Sequence, residues 1–131
     1  MSQMLIATVE DDVRRALALV LSTALAPMSI VAIDSWHELL AVLQREPVLV
    51  VVVDRALLGD VAMAVQALRR VQQHARIVLM STRPEEGKRM LALGADAFLC
   101  TVDAPAHVVG TVRRLLNLDG DSRMVGPSPQ V

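Results

Sequence analysis

Tyrosine is absent from the 131 residues, and the aromatic complement is one tryptophan, Trp36, and one phenylalanine, Phe98. A cofactor ring stacked between aromatic side chains is therefore not expected. The single cysteine, Cys100, excludes an internal disulfide framework and any metal site built from several thiolates. Lys88 is the only lysine among 13 basic residues, so chemistry that needs an ammonium must take it from that position or do without. No apolar run approaches the ~20 residues that cross a bilayer. The N-terminus lacks a basic stretch followed by a long apolar one, so no secretory signal is expected. Charge of one sign is also missing: 13 Lys+Arg against 14 Asp+Glu leave a formal −1. That balance argues against direct contact with nucleic acid. The expectation is a cytoplasmic domain that does not touch the membrane.

What is present points to one globular unit. Hydrophobic residues make up 53% and charged residues 21%, enough apolar content for a sizeable core in a chain of one-domain length. Met4–Val9 reads as a strand and is followed by the acids Glu10, Asp11 and Asp12. Val13–Leu25 carries apolar residues at helical spacing. Met28–Ile33 reads as a strand. Ser35 and Glu38 fit a capping box that opens a helix over Trp36–Arg45. Val48–Val53 is the strongest strand, because consecutive valines suit a pleat buried on both faces. A loop over Arg55–Asp60 leads into a helix over Val61–Gln73. Arg76–Met80 is a strand, Pro84–Leu93 a helix closed by Gly94, Ala97–Cys100 a strand and Pro105–Leu118 the last helix. The stretch Asp119–Val131 lacks periodicity and reads as a tail or linker stub, which leaves a domain over residues 1–118.

Strand and helix alternate five times. This pattern implies an α/β fold with a five-stranded, doubly wound parallel sheet, flavodoxin-like, in strand order 2-1-3-4-5. Ligands of such folds bind beyond the carboxyl ends of the strands, at the switch point between the first and third. That edge should carry Glu10, Asp11 and Asp12 after strand one, Asp54 after strand three, Ser81 after strand four, and Thr101 and Asp103 after strand five. Clustered carboxylates repel one another, and a hard divalent cation such as magnesium relieves the repulsion. A phosphate cradle needs glycine after strand one, and Glu-Asp-Asp stands there instead, which argues against dinucleotides and flavins.

These segments resemble the receiver domain of response regulators in two-component signalling. The resemblance runs over roughly residues 4–118. MLIATVEDD resembles the family's first strand with its acid pair, PVLVVVVDRALLG the strand that ends in the phosphoacceptor, IVLMST the strand that presents a hydroxyl, and LALGADAFL the approach to the fifth strand. The resemblance implies that Asp54 accepts a phosphoryl group from a histidine kinase or phosphotransfer protein. It implies Mg2+ held by Asp11, Asp54, Glu10 and the carbonyl of Ala56, with Ser81, Phe98 and Thr101 as phosphoryl-binding and switch positions. The domain would assist its own phosphorylation without being an enzyme. It would signal through a downstream protein partner, with a homodimer through the fourth helix, fifth strand and fifth helix as one form of output.

The sequence departs from the family in two places. Thr101 and Val102 stand where the family has lysine and proline after the fifth strand. The loop after Asp54 has Leu58 in place of proline and is shorter, and the third and fourth helices or their entry loops should be trimmed. Charge-assisted hydrogen bonds are about twice as strong as neutral ones, and a threonine hydroxyl supplies no charge to phosphoryl oxygens. Two readings follow: a phosphorylatable receiver, or a receiver-like module that binds partners independently of phosphorylation. His37, His74 and His107 fall on three different helices and read as surface residues, not as metal ligands.

Overall fold

The computed structural model describes Gln3–Met124, as strand β1 (Gln3–Ala7), helix α1 (Asp11–Ala24), β2 (Ser29–Ile33), α2 (Trp36–Arg45), β3 (Val50–Asp54), α3 (Val61–Val71), β4 (Arg76–Ser81), α4 (Gly87–Ala92), β5 (Ala97–Cys100) and α5 (Pro105–Met124). Short 3-10 turns at Arg55–Leu57 and Pro84–Glu86 precede α3 and α4. The strands form one sheet in the order β2-β1-β3-β4-β5, with every pair parallel. The expected doubly wound order is therefore the observed one.

The valine run shows why the sheet is covered on both sides. Side chains alternate across a strand, so consecutive residues meet opposite faces. Val51 and Val53 join a core with Leu39 and Leu43 of α2 and Val65 and Leu68 of α3. Val50 and Val52 join a second core with Leu21 of α1 and Val108, Val112 and Leu115 of α5. None of the four valines is more than 1% exposed. Ser35 caps α2 by accepting from the Glu38 N–H at 3.1 Å, and Asp60 caps α3 by accepting from the Met63 N–H at 3.1 Å.

Several boundaries differ from the sequence pattern. β1 stops at Ala7, two residues before the expected Val9, because the Thr8 hydroxyl accepts the Glu10 N–H at 3.1 Å and turns the chain. Helix α1 then starts at Asp11 with Asp11 and Asp12 in its first turn, where acidic side chains meet the positive end of the helix dipole. The expected fourth helix is divided into the 3-10 turn and the short α4. Helix α5 continues past Leu118 to Met124. The remainder of the expected tail, residues 125–131, lies outside the described residues.

Among the described residues no helix is long and apolar enough to cross a membrane.

Candidate functional site

At the carboxyl edge of the sheet a cleft of about 350 Å3 is lined by Glu10, Val13, Asp54, Arg55, Ala56, Ser81, Thr82 and Thr101. Parallel pairing sets who meets whom. Ala7 is in register with Val53, and Asp54 with Met80. The residue that follows Ala7 is Thr8, so Thr8 comes level with Asp54. Both are buried, Thr8 fully and Asp54 to 7% exposure. The Thr8 hydroxyl donates to Asp54 Oδ2 at 2.9 Å. The other carboxylate oxygen, Oδ1, accepts the Ala56 N–H at 2.9 Å. Buried carboxylates require such partners.

The acids after β1 take other positions. Glu10 lines the cleft but is exposed, as the N-cap residue of α1. Asp11 is not part of the lining. Its carboxylate pairs with Arg14 and with Arg15, the latter at 2.9 Å, on the outside of α1. These are i,i+3 and i,i+4 neighbours on a helix surface. Arg14 also donates to the Thr8 carbonyl at 2.8 Å, which ties the helix start to the end of β1.

Serine, threonine and arginine complete the cleft. Ser81 is buried at the end of β4. Its hydroxyl donates to Glu86 Oε1 and accepts the Arg83 N–H at 3.0 Å. Arg55 Nε lies 3.5 Å from Glu86 Oε2. Thr101 is half-buried, and its N–H donates to the Ser81 carbonyl at 3.0 Å. No arginine or lysine follows β5 until Arg113, and Lys88 is exposed on α4. Phe98 is half-buried against the α2–α3 core, with its ring over Gly87 at the start of α4. His37 on α2, His107 on α5 and His74 are all exposed, as expected, but His74 lies in the turn after α3 and not on a helix.

The donor set does not fit the expected magnesium site. A hard dication wants several carboxylate or carbonyl oxygens converging on one point. Here a hydroxyl that donates to Asp54 occupies the neighbouring strand position, and Asp11 is engaged by two arginines. Among the described residues no three of His, Cys, Asp and Glu gather as metal ligands would. Ala56 lines the cleft, and its N–H donates to Asp54 Oδ1.

Sequence reasoning brought Asp54, Ala56, Ser81, Thr101 and Glu10 to one edge, and the structure brings them to one cleft. It missed Thr8 and Glu86. The signal for Thr8 was the count along β1: if Asp11 belongs to a helix with Arg14 and Arg15, the strand must end before Glu10. Glu86 carried no sequence signal beyond its place near Ser81.

Comparison with known proteins agrees with this architecture. No protein-family model and no curated protein matches the sequence. Solved structures do match in shape. A receiver domain protein from Methanospirillum hungatei aligns at a TM-score of 0.79 and 14% identity, over 93% of this chain and 98% of that one. A LuxR family DNA-binding response regulator from Silicibacter pomeroyi aligns at 0.77 and 21% identity, over 89% and 93%. A chemotaxis response regulator from Vibrio cholerae aligns at 0.74 and 21% identity, over 88% and 98%. The chain thus has the fold of a response-regulator receiver domain.

Proposed function

We propose that this chain is a receiver-like signalling module that works by protein–protein contacts and does not depend on an aspartyl phosphate. The observation that carries this reading is the buried hydrogen bond from the Thr8 hydroxyl to Asp54 Oδ2. A phosphoacceptor aspartate needs cationic partners as negative charge gathers on the transferring oxygens. The position beside Asp54 offers a hydroxyl, and the residue after β5 is Thr101. Neither neutralises a phosphoryl group. The module's partner is a protein, met without nucleic acid or membrane and in the cytoplasm. The α4–β5–α5 side is the proposed contact face, for a downstream protein or a second copy, with Leu91 of α4 48% exposed there.

A second reading, phosphorylation of Asp54 by a histidine kinase or phosphotransfer protein with Mg2+, is favoured by the placement of Asp54, Ser81 and Thr101 around one cleft. Amide spectra recorded with beryllofluoride plus magnesium decide between the two, beside magnesium alone and an Asp54→Asn control. The expected result is no change beyond that of magnesium alone. Shifts at Asp54, Ser81 and Phe98 in the wild type only would overturn the phosphate-independent reading and establish the second.

A further inference from the structure

Two donors that line the Asp54 cleft, the Ser81 hydroxyl and Arg55 Nε, are already engaged, and one side chain from outside the cleft engages both. Glu86 ends the 3-10 turn ahead of α4 and lines an adjoining cleft with Arg55, Gly59, Asp60, Arg89 and Met90. Its two oxygens take two different elements. Oε1 accepts the Ser81 hydroxyl from the end of β4, and Oε2 pairs with Arg55 Nε from the turn after β3. A serine hydroxyl has one proton, so the bond to Glu86 leaves Ser81 no proton to donate into the Asp54 cleft. The Ser81 oxygen in turn accepts the Arg83 N–H, which fixes the first residues after β4.

The contact chain continues past Glu86. Gly87, the next residue, lies so close to Phe98 of β5 that a Cβ there would come within 3.1 Å of the ring carbon Cδ2. Ser81, Glu86, Gly87 and Phe98 therefore form one path from the cleft edge to the α4–β5 surface, with Arg55 tying it to β3. We propose that Glu86 is a built-in counter-ion that latches the β4–α4 segment to the turn after β3. It holds the α4–β5 face in one arrangement with no input from Asp54. A carboxylate supplied by the chain takes the serine hydroxyl and the guanidinium that an external anion would otherwise engage. This deepens the phosphate-independent reading by naming what fixes the contact face.

Hydrogen exchange of the full chain, followed amide by amide, tests the latch without any added anion. Glu86→Gln keeps the shape and removes the charge, and Ser81→Ala removes the hydroxyl. In Glu86→Gln the amides of Arg83 and of Glu85–Met90 are expected to exchange about tenfold faster or more, while those of Val51–Val53 in β3 keep their rates. The double variant is expected to exceed the larger single change by less than the two changes summed, since both weaken the shared Ser81–Glu86 contact while each also loses a bond of its own, Arg55 to Glu86 in one and the Arg83 N–H to Ser81 in the other. Exchange in Arg83–Met90 within about twofold of wild type, or additive effects of the two changes, would overturn the latch. A uniform rise across the sheet would overturn it too, because that marks global destabilisation. The two proposals fail separately. A beryllofluoride response with a loosened Glu86→Gln segment sinks the phosphate-independent reading alone. No response with an unchanged segment sinks the latch alone.

Discussion

Thr8 decides the chemistry of the cleft. Its hydroxyl both donates to Asp54 Oδ2 and accepts the Glu10 N–H, so one side chain satisfies a buried carboxylate and ends β1. Thr8→Val keeps the branched shape and loses both bonds. The expected cost is about 1–3 kcal/mol, read as a lower urea midpoint at unchanged slope. Thr8→Ser retains the oxygen and should stay near wild type. Thr8→Asp tests the same position from the other side. Two buried carboxylates would then stand side by side at the ends of β1 and β3, at a cost of about 3–5 kcal/mol when no counter-charge is present. Magnesium is expected to restore much of that loss in the variant and to leave the wild type where it is. Thermal unfolding in magnesium and in chelator reads the difference. Equal midpoints for the variant in the two buffers would show that position 8 does not govern cation binding.

The elements explain why the residues at the site were legible only in part. Strands β3 and β4 were readable because a buried parallel strand is a continuous apolar run, and Asp54 and Ser81 follow those runs directly. The end of β1 was not. Met4–Val9 is apolar but for Thr8, and apolarity alone does not mark where pairing stops. The marker is the Thr8–Glu10 turn, a side-chain contact that periodicity does not register. Two residues of error there separate an acid beside Asp54 from a threonine beside it. The fourth helix was placed correctly, but its division at Gly87 was not; Gly87 lies against the Phe98 ring, a tertiary contact that periodicity does not register. Gly94 was rightly read as the stop after this helix. It sits at φ +115, and a Cβ there would lie 3.1 Å from Val65 Cγ1. Gly59 has φ +64 with nothing within 4 Å of its Cβ position. Gly94→Ala therefore meets strain and a core contact together, at an expected cost of about 1–3 kcal/mol. Gly59→Ala meets strain alone, at about 1 kcal/mol. Denaturation of the pair should rank them in that order, and the reverse order would mean that Val65 yields freely.

At the scale of the whole molecule the sheet is the only partition between two cores, and both depend on it. One core lies under α2 and α3, the other under α1 and α5. Each central strand feeds both, as β4 does with Leu79 on one side and Val78 and Met80 on the other. Loss of packing on one face therefore leaves the same strands without support on the other, and the two cores should unfold as one unit. The aromatic poverty of the chain makes this measurable. Trp36, the only tryptophan, packs against the α2–α3 core, so its fluorescence reports that face and no other. Leu99 is fully buried in the opposite core. Leu99→Ala removes side-chain volume far from the reporter, at an expected cost of about 2–5 kcal/mol. If the cores are one unit, Trp36 fluorescence and far-ultraviolet circular dichroism shift to the same lower urea midpoint. If the α1–α5 face opens by itself, the dichroism midpoint falls and the fluorescence midpoint stays. The second pattern would also detach the cleft from the latch, because Thr101 follows the strand that carries Leu99 while Arg55 and Glu86 hold the other side. A single coincident transition is the expected result, since it is what lets a carboxylate at position 86 set the arrangement of β5.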